Sequence, residues 1–157
     1  MAENFEARLA YLIRRIGSAL GHHVDRTLKE FALTHTQFGA LAQLGVMQPD
    51  ALSGATLAER NGVTAQAMST AIAGLVDRGL ADREPHPTHG RILEVRITPK
   101  GAQLLARAQT AVARAEDRAL AFLGDDEQHD LGRTLRRVMR ELDLYLYFTD
   151  DGERRFS

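Results

Sequence analysis

A mainly α fold carrying one β-hairpin is predicted by three observations. Apolar residues recur at helical spacing over six stretches of the chain. Most of these stretches open on Thr or Asp, where a helix N-cap is wanted. Between residues 80 and 98 the period changes to two, around a Pro- and Gly-containing tip.

The first helix is expected over about residues 4–31, striped by Phe5, Leu9, Leu12, Ile13, Ile16 and Leu20, then Val24, Leu28 and Phe31. "LTHTQF" follows, with Thr34 as N-cap and Gln37 completing a capping box. That opens a second helix, about 35–47, with Phe38, Leu41 and Leu44 facing inward. Pro49 and Gly54 in "MQPDALSG" break it. In "ATLAERNGVTAQ", Thr56 and Glu59 have capping-box spacing and predict a two-turn third helix. Asn61-Gly62 supplies residues that tolerate positive φ, so the chain turns sharply. Thr64 caps a fourth helix running to Arg78, and Gly79 sits where a left-handed residue ends it.

"LADRE" at 80–84 and "ILEVRIT" at 92–98 read as a two-stranded hairpin with "PHPTHGR" at its tip. Thr98 caps and Pro99 opens a fifth helix, about 99–123, with Leu104, Leu105, Ala108, Val112, Ala115 and Ala119 on one side. Gly124 is expected to stop it. Asp125 or Asp126 then starts a sixth, about 126–148, striped by Leu131, Leu135, Val138, Met139, Leu142 and Leu146. The tail, 151–157, is polar.

The bulk numbers exclude several classes. The 157 residues, 44% hydrophobic and 26% charged, suit a globular protein. There is no Cys, which removes disulfide scaffolds and thiolate metal sites. The opening "MAENFEARLAYLIRR" is acidic before it is apolar and lacks a small-residue cleavage site, so it is not a secretion signal. No apolar run approaches membrane-spanning length, and a cytoplasmic protein is expected. Net charge is −1. Residues 60–100 form the one net positive third, with six Lys/Arg against four Asp/Glu.

That third holds a two-turn helix, a Gly turn, a longer helix and a hairpin, the order of a winged helix-turn-helix. In the longer helix Met68, Ala71, Ile72, Leu75 and Val76 bury one face. The opposite face is Gln66, Ser69, Thr70 and Ala73, with no Lys or Arg. Surface helices usually favour Glu and Lys, and this face does not resemble one. Short residues let a helix axis approach base edges in a major groove, where Gln pairs with adenine and Ser or Thr serves base or phosphate. Thr64 and the free N–H groups at the helix start suit a phosphate. Charge is expected from the flanks: Arg60, Arg78, Arg83, Arg91, Arg96 and Lys100. The DNA-facing set is therefore Thr56, Thr64, Ala65, Gln66, Ser69, Thr70, His89 and Arg91.

"LTHTQFGALAQL", "TLAERNGVTAQAMSTAIAGLVDRGLADRE" and "RILEVRITPKGAQLL", in this order, resemble the MarR family of bacterial transcription regulators over roughly residues 8 to 148. The resemblance implies a homodimer with intertwined N- and C-terminal helices. It implies near-palindromic operators and release by a small ligand, often a phenolic compound or an aromatic carboxylate. The broad stripes of the first, fifth and sixth helices favour a dimer on their own, because they flank the reading lobe without enclosing it. On this reading 1–34 and 99–150 form the dimerisation region, and 35–98 the winged DNA-binding lobe. The family's wing carries Asp, any residue, Arg, with the Arg entering a minor groove. Here the triplet is His89-Gly90-Arg91, so the Arg matches and its orienting Asp is missing.

Six histidines remain to be explained. His86 and His89 at the wing tip read as a solvated loop, or as groups whose protonation near phosphates adds affinity at lower pH. His22, His23 and His35 read as buried or surface residues, or as lining for the effector pocket that the resemblance implies. An alternative regulator of the same fold would use histidines to sense a metal. An enzyme is not expected, since the chain has no phosphate-cradling Gly-rich loop and no nucleophile elbow. No cofactor is expected either. An architectural binder without sequence preference would need more positive charge than this chain carries.

Overall fold

The structure is a computed structural model that describes residues 8–144. Phe5, Leu146 and the polar tail lie outside the described residues. The elements run α1 (Leu9–Lys29), α2 (His35–Met47), β1 (Leu52–Ser53), α3 (Gly54–Asn61), α4 (Ala65–Asp77), β2 (Ala81–Pro85), β3 (Leu93–Ile97), α5 (Pro99–Ala119) and α6 (Asp125–Glu141).

Local cap chemistry explains most boundaries. Thr34 accepts from the Gln37 amide at 3.1 Å, and Gln37 Oε1 accepts from the Thr34 amide at 3.0 Å, closing the expected box. Thr64 accepts from the Ala67 amide at 3.1 Å, and Thr98 from the Gly101 amide at 3.0 Å. Four helices end in one pattern. One residue within three of the helix end adopts positive φ while the next amide reaches back five residues. Gly62 (φ 63) and Gly79 (φ 67) do this after α3 and α4, as the sequence suggests, but Ala32 (φ 51) does it after α1 and Asp143 (φ 52) after α6. That turn ends α1 at Lys29, short of the expected residue 31.

Two starts differ from expectation. The N-cap of α3 is Ser53, whose Oγ accepts from the Thr56 amide at 3.1 Å; Thr56 is inside the helix, its hydroxyl 2.9 Å from that same Oγ. Gly124 does not stop α5, which ends at Ala119. It is instead the N-cap residue of α6, its amide donating to Glu127 Oε2 at 2.9 Å, and Asp125 and Asp126 occupy the first turn. Carboxylates there suit the helix dipole.

The hairpin β2–β3 pairs Ala81 with Ile97 through Pro85 with Leu93. A third strand joins it. β1 pairs antiparallel with β3, Leu52 opposite Val95 and Ser53 opposite Glu94, giving the order β1-β3-β2.

The core centres on α2, α3, α4 and the sheet, where Leu41, Leu44, Leu57, Met68, Leu75, Leu80 and Val95 are fully buried, as is Leu28 of α1. Leu105, Ala108 and Val112 of α5 join this core together with Val24 of α1. Gly101 is where α5 meets the hairpin; a Cβ there would fall 2.0 Å from the Leu80 carbonyl oxygen. Gln43 is buried among these apolar residues, 1% exposed, and neither amide atom has a hydrogen-bond partner among the described residues.

The two ends of the chain behave differently. The N-terminal half of α1 leaves Leu9, Leu12, Ile13 and Ile16 exposed. α6 buries none of its residues, makes at most slight contact with any other described element, and exposes Leu131 and Leu135, with Leu142 just beyond its end. No helix among the described residues is long and apolar enough to cross a membrane.

Candidate nucleic-acid interface

α4 divides cleanly into two sides. Met68, Ala71, Ile72 and Leu75 are buried, which fixes the helix against α2 and α3. Thr64, Ala65, Gln66, Ala67, Ser69, Thr70 and Ala73 are all exposed. The face is uncharged and its side chains are short, apart from Gln66. Two of its groups are partly committed. Thr64 caps the helix, and the Thr70 hydroxyl donates to the Gln66 carbonyl at 3.1 Å. Both oxygens keep hydrogen-bonding capacity for an outside partner. Thr56 is half-buried at the start of α3, its hydroxyl 2.9 Å from Ser53 Oγ.

The flanking cations are fewer than the sequence suggests. Arg78 donates to the carbonyls of Phe31 and Ala32. Lys100 donates to the Arg78 carbonyl at 2.8 Å, and Arg96 to the Pro49 carbonyl at 2.6 Å. Arg60 is half-buried. Arg83 and Arg91 are exposed and make no intramolecular hydrogen bond or ion pair among the described residues. Both lie on the hairpin, so the unengaged positive charge of this region sits on the wing.

The wing tip is ordered by hydrogen bonds that sequence reading missed. The His86 amide donates to the Ile92 carbonyl at 2.8 Å, and the Ile92 amide to the His89 carbonyl at 2.7 Å. Inside this turn His86 Nδ1 faces the amides of Thr88 and His89, both at 3.2 Å, and the Thr88 hydroxyl at 3.1 Å. His89 and Arg91 are exposed beside it.

The three histidines expected to line a pocket separate. His22 Nδ1 meets the Ser18 carbonyl at 2.6 Å on the outside of α1. His35 Nδ1 lies 3.0 Å from Asp25 Oδ1, both well exposed. His23 alone borders a cleft, of about 400 Å³, between α1 and α5; Arg26, Thr27, Glu30 and Arg118 also line it. Arg26 Nη2 lies 2.9 Å from His23 Nδ1. On α5 beside this cleft, partial burial raises the Glu116 carboxyl above its ordinary range, and the neighbouring Asp117 charge adds to the shift. Among the described residues no group of three or more His, Asp or Glu converges to hold a metal.

Comparison with known proteins places this geometry among relatives. A family model described as MarR family matches residues 33–92. The chain is 35% identical over 133 residues to the HTH-type transcriptional repressor Rv2887 of Mycobacterium tuberculosis, covering 85% of this chain and 94% of that one. A crystal structure of Rv2887 in complex with p-aminosalicylic acid superposes with a TM-score of 0.71 at 34% identity, over 84% of this chain and 98% of that one. A MarR family transcriptional regulator from Rhodococcus sp. RHA1 shares the fold, with a TM-score of 0.79 at 20% identity over 87% and 96% of the two chains.

Proposed function

Because the chain belongs to the MarR family, we propose that it is a transcriptional repressor that binds a near-palindromic DNA operator as a homodimer and is released by a small aromatic carboxylate. The observation that carries this reading is the exposed, uncharged face of α4. A face of Gln66, Ser69, Thr70 and alanines has no use for packing, and it lacks the Glu and Lys that make a surface helix soluble. It suits close approach to base edges, with Gln66 as the bidentate reader and Thr64 at a phosphate. Arg91 on the wing reaches an adjacent minor groove.

A second copy supplies the missing packing. The apolar sides of α1 and α6 are solvent-exposed in one chain, and a two-fold axis would bury them against each other. Two recognition helices would then meet one DNA face about 34 Å apart, or a multiple of that. The name of the 35%-identical relative supports repression.

The structure of that relative with p-aminosalicylic acid supports an aromatic carboxylate as effector. In this chain a carboxylate fits the α1–α5 cleft, where His23, Arg26 and Arg118 offer positive or donating groups. His22 and His35 take no part, since each is engaged elsewhere. A ligand preferring a dimer with misplaced recognition helices would weaken operator binding by about 5- to 150-fold, the usual span of allosteric coupling. Against the metal-sensing alternative, no three His, Asp or Glu come together among the described residues.

Selection of bound sequences from a random duplex pool tests the reading. Enriched inverted repeats with half-sites about one helical turn apart, or a multiple, are expected. Recovery of no sequence preference would refute it.

A further inference from the structure

We infer that His86, in its neutral form, is the positioning residue of the wing, holding the tip that presents Arg91 and releasing it on protonation. The inference rests on the DNA-binding reading given above, since it concerns how the wing is presented.

The geometry determines the tautomer. Nδ1 faces two backbone N–H groups, of Thr88 and His89. Both can only donate, so Nδ1 must present its lone pair and the ring proton must be on Nε2. This arrangement is that of an Asx turn, in which a side-chain oxygen accepts from amides two and three residues on. Nδ1 stands where an Asn Oδ1 would stand. The turn is closed on its other side by the two hydrogen bonds between Ile92 and the residues His86 and His89. Arg91 lies between His89 and Ile92, both tied into the tip. The imidazole thus supplies order in a wing whose expected orienting Asp is replaced by His89.

Doubly protonated imidazole cannot do this. A proton on Nδ1 would confront two N–H donors, so all three contacts at that atom would be lost or reversed. Charged and titratable groups stand near the ring. Glu94 Oε1 lies 3.6 Å from Nε2. Glu84 is directly opposite Glu94 in the hairpin, which places both carboxylates on the sheet face that His86 shares. The His89 ring is 5.2 Å away, centroid to centroid. The tip amides can be met only by the neutral ring. Protonation therefore trades tip order for a partly exposed ion pair, the kind that contributes little by itself. Lower pH is expected to loosen the wing and weaken operator binding, opposite in sign to a simple attraction between imidazolium and phosphate.

The test compares the full-length protein with its His86→Asn and His86→Leu variants at pH 5.5 and pH 8. Amide exchange of Thr88 and His89, read by NMR in the free protein, reports tip order without DNA. The wild type should be protected at pH 8 and exposed at pH 5.5, H86N protected at both, and H86L at neither. Operator affinity should follow: H86L weaker at pH 8 by about three- to ten-fold, the net worth of an ordinary hydrogen bond or slightly more, and wild type falling relative to H86N as pH drops. H86N keeps His89, so that comparison isolates His86. Equal protection of the wild-type tip at both pH values, or H86L matching wild type throughout, would overturn the inference. So would normal amide behaviour with operator affinity indifferent to it. Failure of every form to distinguish operator from scrambled duplex would overturn the DNA reading and with it the role in presenting Arg91; the amide data would still report on the tip itself.

Discussion

The guanidinium of Arg78 donates to the carbonyl of Phe31 at 3.0 Å, and its other arm to the carbonyl of Ala32. Arg78 is the C-cap of α4. Phe31 and Ala32 form the turn that ends α1, and the Phe31 ring lies under Arg107 of α5 at 5.8 Å. One planar fork therefore fastens the proposed recognition helix to the end of α1. Arg78→Ala is expected to cost about 1–2 kcal/mol in urea unfolding, at the lower range for charged hydrogen bonds because the site is partly exposed. Arg78→Lys should recover less than half, since a single ammonium cannot span both carbonyls in the same way. Equal stability of the Lys variant and wild type would show that the fork is not used.

Ala32 carries positive φ at the position that Gly62 and Gly79 fill after α3 and α4. An L side chain there costs about 1–2 kcal/mol, whereas glycine's extra chain entropy costs about 0.5–1 kcal/mol. Relief of strain is the larger effect. Ala32→Gly should therefore raise the unfolding free energy by about 0.5–1 kcal/mol, and a loss measured by thermal or urea unfolding would contradict the conformation of this turn.

Gln43 buries a complete amide with no hydrogen-bond partner among the described residues. Gln43→Met keeps the length and removes both unmet groups. A buried, unsatisfied polar group costs about 1–3 kcal/mol, so the variant should be more stable by about 1 kcal/mol, as read by the urea midpoint at unchanged slope. A drop in stability would reveal a hydrogen bond that the folded protein makes to this amide.

Leu135 lies on the exposed apolar side of α6, 40% accessible in a single chain. If a second copy covers it, Leu135→Glu places an unpaired charge in that contact. Sedimentation should show a dimer for wild type and a shift toward monomer for the variant, with helical content retained because α6 packs little on its own chain. An unchanged dimer would move the interface elsewhere.

What was legible in the sequence was mostly what local chemistry decides. Thr34 with Gln37, Thr64, and Thr98 before Pro99 all cap where their spacing says, because a cap involves residues three apart. The buried and exposed sides of α4 follow from period alone. Some of the misses have a non-local cause. Thr56 with Glu59 has capping-box spacing, but Ser53 is the cap used, and it also pairs with Glu94, far along the chain. A two-residue strand such as β1 has no period to detect. Arg78 looked like one more flanking cation, and only folding brings it to carbonyls 46 and 47 residues away. His86 looked like a solvated loop residue, because nothing in "HPTH" reveals that its ring turns back onto the following amides.

The most direct test concerns the face of α4. Operator and scrambled duplex should be titrated in parallel at one salt concentration, because phosphate attraction alone varies steeply with salt. Ser69→Tyr should obstruct close approach, and Gln66→Ala removes the amide proposed to read a base; both positions are exposed, so folding should be spared. The ratio of operator to scrambled affinity is expected to fall about ten-fold for each, within the 1–3 kcal/mol that one good base contact carries. Folded variants that kept the wild-type ratio would contradict the placement of this face against DNA.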